Sequence, residues 1–220
     1  MKVYLASMEL HGPLFFSSET KHALTTASHL LVAPKAIISP IPLTYALNNL
    51  PAERWAWPDS PPSYEGLRRA RKIFYGALPS RVKYKRFFFA MKGFSWGEYR
   101  GKPKRNAPRM VTMVALVPPS TFKSAIVSED PLPPTLYLRI GSKRSGILKV
   151  QLEEVRLEKW EGTLTLPITR EFLKTFGCNV KSFTTLLTTF SGEEVGLAEV
   201  EGCKVYRACG KRRCEVLAIP

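Results

Sequence analysis

Phe94, Trp96 and Tyr99 lie among Gly93, Gly97, Gly101 and Pro103, with Arg100, Lys102, Lys104 and Arg105 beside them. Lys and Arg neutralise phosphates and release counterions, while aromatic faces stack unpaired bases, so this mixture points to single-stranded nucleic acid. A glycine-rich charged loop is a poor place for core side chains, and these three aromatics therefore read as contacts. Upstream, Phe74-Tyr75 and Phe87-Phe88-Phe89 read instead as strand core. The cations Arg81, Lys83, Lys85 and Arg86 between and beside them are assigned to RNA.

A second cluster is the loop Gly141-Ser142-Lys143-Arg144-Ser145-Gly146. Two glycines let backbone N–H groups approach an anion, hydroxyls donate, and two cations add charge. A charged hairpin turn is the competing reading. The loop lacks the G-x-x-x-x-G-K-[ST] pattern of a phosphate-binding loop, and no helix is expected after it.

Histidine is the usual base for metal-independent RNA cleavage. His11 stands at a strand end before Gly12 and is taken as an RNA contact, while His22 and His29 read as structural. No D-x-D pair or H-E-x-x-H occurs, so metal hydrolysis has no support. No catalytic residue, metal or cofactor is assigned. Of Cys178, Cys203, Cys209 and Cys214, the last two form a C-x4-C pair with no histidine nearby. Reduced thiols are the expectation, a Cys209–Cys214 hairpin disulfide the alternative, and zinc the least supported.

The elements that must position these residues carry an unusual charge. The chain of 220 residues has a formal net charge of +15. Between Arg68 and Arg109 stand fourteen Lys or Arg and one acid, Glu98, so this window holds +13 of that total. Solvated surfaces intersperse both signs, and a one-sign block is the footprint of a polyanion. Lys2 is followed by too short an apolar stretch before Glu9 for a secretory signal, and prolines interrupt the apolar run 22–47. A soluble, cytoplasmic protein is expected, with no membrane partner.

Lys2–Leu10 alternates as a strand, and Ser39 caps a short helix over 39–50 whose first turn accepts Pro40 and Pro42. Residues 51–63 form a Pro- and Trp-rich loop. Strands are expected at Met110–Val117, Thr135–Ile140, Ile147–Leu157 and Gly162–Pro167, then a helix over Ile168–Phe176 ended by Gly177, then paired short strands in 195–219. This order is α+β, within one domain spanning 1–220. A ferredoxin-like sheet of the RNA-recognition-motif kind suits it, although composition alone does not separate that from other α+β folds.

Four segments add a resemblance. Leu10-His-Gly-Pro-Leu-Phe-Phe16, Pro42-Leu-Thr-Tyr-Ala-Leu-Asn48, Asn106-Ala-Pro108 with Pro119-Ser-Thr-Phe122, and Arg139-Ile-Gly-Ser-Lys-Arg-Ser145 follow one another as in the CRISPR-associated Csc-one family. The chain resembles that family, the guide-capping subunit of the subtype I-D Cascade effector. The resemblance implies a RAMP fold with a long basic thumb insertion, 64–108, to which the sequence pattern adds C-terminal strands. It implies binding of the crRNA 5′ handle, contacts with the backbone subunit and the large subunit, and a thumb that helps to hold target DNA. Two rivals remain: an endoribonuclease processing precursor crRNA, as in a related handle-binding subunit, and a basic ribosome-associated protein. The segment after Gly202 carries no part of the resemblance.

The charge block makes a measurable prediction. For single-stranded RNA, each phosphate that the protein ceases to neutralise lowers the log–log salt slope by about 0.7. Replacing Lys102, Lys104 and Arg105 together by Ala should flatten the salt dependence of guide-RNA binding accordingly. An unchanged slope would show that these three residues do not neutralise phosphates.

Overall fold

The computed structural model describes residues 1–15, 36–50, 65–91, 109–141, 145–189 and 192–220. In chain order the elements are β1 (Lys2–Leu10), α1 (Pro40–Asn48), a 3-10 turn at Glu65–Arg69, β2 (Lys72–Phe74), β3 (Leu78–Arg81), β4 (Tyr84–Met91), β5 (Arg109–Leu116) and β6 (Thr121–Ser128). There follow β7 (Thr135–Ile140), β8 (Gly146–Glu154), β9 (Arg156–Lys159), β10 (Ile168–Thr169), α2 (Arg170–Thr175), β11 (Asn179–Thr188), β12 (Glu194–Glu201), β13 (Lys204–Cys209) and β14 (Cys214–Ile219).

The main sheet runs β2-β6-β1-β8-β7, with β3 following β2 along the same edge of β6. Every pairing in it is antiparallel. β1 and β2 both oppose β6, which lies between them, so they run parallel and β1–α1–β2 is a split β-α-β unit. The second half departs from the ferredoxin-like plan. Between β6 and β8 the chain forms β7, a strand paired with β8, where that plan has a second helix. What stands of the α+β expectation is a mostly antiparallel β architecture with few helices among the described residues. The period-two alternation of Thr135–Ile140, with Leu138 and Ile140 buried, is what makes this crossover a strand.

Helix α1 begins as its sequence dictates. Ser39 accepts from the Ile41 N–H at 3.3 Å, and Pro40 opens the first turn. Asn49, at φ 49°, closes the helix in the left-handed region. One turn apart, Thr44 and Asn48 complete the outer edge of β2 with side chains. Thr44 Oγ1 accepts from the Phe74 N–H at 3.0 Å, and Asn48 Nδ2 donates to the Lys72 carbonyl at 2.6 Å while its Oδ1 takes the Lys72 N–H. An exposed edge is thereby blunted without another strand.

Two apolar clusters flank the sheet. Tyr4, Met8, Leu10, Leu43, Phe74, Phe122, Ile126, Leu148 and Val150 pack on the α1 side. Val3, Leu5, Tyr75, Ala125 and Val127 face the opposite way, onto a C-terminal layer that supplies Leu164, Leu166, Phe172 and Leu217. That layer consists of two three-stranded sheets, β10-β12-β11 and β14-β13-β9. Residues 162–167 form no strand, only an isolated bridge between Thr163 and Glu199, correcting the expectation there. They alternate between the two small sheets, Leu164 N–H bonding the Ala198 carbonyl and Thr165 N–H the Val216 carbonyl. The helix expected over 168–176 begins two residues later. Ile168–Thr169 pairs with β12 instead, and Thr169 becomes the cap, accepting from the Phe172 N–H.

Two further corrections follow. Strand β6, in the middle of the sheet, was not among the expected elements. Within the expected insertion 64–108, β2 and β3 pair with β6, and the hairpin of β4 and β5 begins at Tyr84. Finally, the cysteines are paired: Cys178–Cys203 and Cys209–Cys214 are disulfides. The first joins residues distant in sequence and had no local signal. Phe74 and Tyr75, expected in the core, are fully buried.

Tyr75 ties the layers together. Its hydroxyl donates to the Ala218 carbonyl on β14, and burial pushes the phenol far above its ordinary pKa. Tyr75→Phe leaves that carbonyl buried and unpaired, at a cost of about 1–3 kcal/mol. At roughly 2–4 °C per kcal/mol for a chain of this size, thermal unfolding should show a clear drop. An unchanged melting temperature would show that this bond does not hold the layers.

Candidate nucleic-acid interface

The main sheet's face opposite α1 divides sharply. Its register gives successive rungs. Arg139 and Ile147 oppose each other across β7 and β8, and the His11 N–H bonds the Ile147 carbonyl. Next come Tyr137, Lys149, Glu9 and Thr121 in one row across β7, β8, β1 and β6, with Arg81 of β3 opposite Thr121. Then come Thr135, Gln151, Ser7 and Lys123. The following rung holds Glu153, Leu5 and Ala125, where the apolar interface with the C-terminal layer starts. Period-two alternation dictates this face: Leu136, Leu138 and Ile140 turn inward on β7, so Thr135, Tyr137 and Arg139 turn outward.

The boundary is closed by the β13–β14 turn. Cys209 and Cys214 are directly paired across it and bonded through sulfur. Arg213 reaches from this turn into the sheet, its Nη2 donating to the carbonyls of Ala6 at 2.7 Å and Ser124 at 2.8 Å. Glu153 accepts from the Lys211 N–H at 2.8 Å. Behind Arg213 lies Glu215, which is buried, takes a hydrogen bond from Thr165 and stands 3.6 Å from both Arg213 and Lys123. Burial pushes the Arg213 guanidinium below its ordinary value, while Glu215 and Glu153 oppose that shift. Lys123 is thus held by a carboxylate. Arg139 and Lys149 have no acidic partner at ion-pair distance among the described residues.

The expected site residues other than Gly141 fall into three groups. His11 and Arg81 are brought to this face. His11 Nε2 stands 3.5 Å from the Glu9 carboxylate, and its ring meets Tyr137 edge-on with centroids 6.5 Å apart. Lys83, Lys85 and Arg86 are exposed at the base of the β4–β5 hairpin, Lys85 lying over the Phe87 ring. Phe94, Trp96, Tyr99, Arg100, Lys102, Lys104, Arg105, Ser142, Lys143 and Arg144 lie outside the described residues, as do His22 and His29. Tyr137, Arg139 and Lys149 lie on the same face without having been expected there; their signal is the period-two alternation that puts them at outward positions of β7 and β8.

Gly141 has a role in packing its own chain. At φ 84° a Cβ there would stand 2.5 Å from Leu14 Cδ1 and 2.7 Å from the Phe15 carbonyl oxygen. The glycine admits the 12–15 segment, which Ser145 also holds by accepting from the Phe15 N–H at 3.2 Å. A side chain at position 141 would therefore disturb the packing of Leu14 and Phe15.

With a β-rich fold and a basic, aromatic-bearing sheet face in place, comparison with known proteins identifies a CRISPR-associated protein. The family described as Type I-D CRISPR-associated protein Cas5/Csc1 matches residues 1–188, and the chain belongs to it. No curated protein matches the sequence. Among solved structures, the chain is similar to a component of the Type III-B Cmr-beta bound to cognate target RNA, at 12% identity and TM-score 0.47, covering 97% of this chain and 86% of that one. It is similar also to a CRISPR protein from Archaeoglobus fulgidus, at 12% identity and TM-score 0.46, with both chains covered completely. No described helix is long and apolar enough to cross a membrane.

Gly141→Val should destabilise the free chain. Left-handed strain and overpacking against Leu14 each cost about 1–3 kcal/mol. Chemical denaturation of the variant measures the sum, and a midpoint equal to wild type would contradict this packing role.

Proposed function

We propose that this chain is a non-catalytic subunit of a type I-D CRISPR effector complex that binds the 5′ handle of crRNA. In this reading it caps the filament of backbone subunits, contacts the large subunit and helps to hold target DNA, in the cytoplasm. Membership of the type I-D family over residues 1–188 carries the proposal. The charge block and the polar sheet face support it: exposed Arg81, Lys83, Lys85 and Arg86 continue from that face into the hairpin of β4 and β5. That hairpin, with the basic aromatic stretch 92–108 between its strands, takes the role of the thumb. In such complexes base pairing reads sequence while protein grips the backbone. The ferredoxin-like assignment fits the split β-α-β half of the sheet, with β7 standing where that plan has its second helix.

The test uses the purified chain with guide RNA bearing its native 5′ handle and with the handle scrambled. Handle-dependent affinity is expected, together with intact precursor repeat RNA after incubation with or without divalent metal. Equal affinity for both RNAs would remove the handle assignment. Specific precursor cleavage that disappears in His11→Ala would install the endoribonuclease reading instead.

A further inference from the structure

Tyr137 is the exposed aromatic of the open sheet face, with 62% of its surface accessible. So exposed on a strand, the ring offers its π-face to a flat partner. Its surroundings say which. Lys149 is its direct cross-strand neighbour, at a Cβ separation of about 5 Å, and Arg139 is the next outward residue on its own strand, about 7 Å away. Neither cation has an acidic partner at ion-pair distance among the described residues. His11 meets the ring edge-on and limits its rotation. Thr135 and Gln151 flank it as exposed hydrogen-bonding side chains on the next rung. On its other side Lys149 directly opposes Glu9 of β1, whose carboxylate stands 3.5 Å from His11 Nε2.

We infer that Tyr137, Arg139 and Lys149 form a stacking site for one unpaired base of a single-stranded RNA, with the two cations on the adjoining phosphates. A protein partner would find little here: one aromatic amid polar and cationic groups lacks the apolar surround that interface hot spots require. A nucleotide matches all three groups, because the ring supplies a face and the cations stand within one nucleotide of it. The sheet gives rigidity that a loop would not, since β7 is fixed by its pairing with β8. The C-terminal layer ends at Arg213 and leaves this part of the face uncovered. The site rests only on the RNA-binding part of the proposed function and does not require the handle.

The experiment measures binding of the full chain to fluorescent oligouridylate, unrelated in sequence to any repeat. Tyr137→Ala should weaken binding about 10- to 100-fold, as loss of one stacked base does, while Tyr137→Phe should bind like wild type. Arg139→Ala/Lys149→Ala should reduce the log–log salt slope by roughly 1.4, two phosphates at about 0.7 each. Oligonucleotides carrying one abasic position should lose affinity for wild type and show no further loss with Tyr137→Ala. Thermal melting checks that this exposed substitution leaves the fold intact. Tyr137-dependent binding of oligouridylate without any preference for the handle would uphold the site while removing the handle assignment. Affinity unchanged in Tyr137→Ala, or abasic losses that persist in that variant, would overturn the inference. Failure of Tyr137→Ala to enter the assembled effector with RNA affinity intact would mark a protein interface and overturn it equally.

Discussion

The structure depends on β1 being buried on both faces along only half its length. Val3 and Leu5 pack into the C-terminal layer while Tyr4, Ala6, Met8 and Leu10 pack towards α1. From Ser7 onward the first of those faces is polar and open. One strand thus holds two layers together at one end and presents a surface at the other. Because side chains alternate strictly, a single-residue slip of β1 would place Glu9 in the core and Leu10 in water. Register and function are therefore set by the same constraint.

The devices around β1 serve that constraint. Tyr75, from the segment joining β2 to β3, bonds β14 across the core, and its neighbour Gly76 bonds the Pro167 carbonyl. Arg213 marks where the layer stops, satisfying two sheet carbonyls from a turn clamped by a disulfide. The Cys178–Cys203 bond closes a sequence separation of 25 residues, which chain-entropy arguments value at roughly 3.5 kcal/mol. The sheet's outer edge at β2 is finished by Thr44 and Asn48 of α1, so the helix both covers the core and replaces a strand partner. All of these fix the sheet around its uncovered part, where a rigid platform is useful for holding a flexible strand.

Charge follows the same division. Buried Glu215 binds Arg213 and lies near Lys123, so two basic residues at the boundary are committed to structure. Further out, Arg139 and Lys149 carry no such commitment among the described residues, and the cations of β3 and β4 continue the basic surface. A count of Lys and Arg along the sequence does not distinguish these uses, since a cation at a seam and one on a free face look alike until strands are paired.

Local physics made several elements legible from sequence alone. The alternation of Lys2–Leu10 and Thr135–Ile140, and the Ser39-Pro40 start of α1, are near-neighbour effects of side-chain period and capping, and these elements stand where expected. The burial of Phe74 and Tyr75 was legible for the same reason, as was the family, through short motifs in order. What needed tertiary structure was everything that depends on partners distant in sequence. Strand β6 is buried through pairing with β1, β2 and β3, and its serines are silent until Ser124 is seen donating to the Tyr75 carbonyl. Residues 162–167 have a strand's composition but are shared between two sheets. Gly141, assigned from sequence to an anion loop, also makes room for Leu14. The cysteine pairs and the Tyr137 platform likewise arise only when the sheets are assembled. Sequence period decides which side a residue faces; only packing decides whether that side meets core, solvent or a ligand.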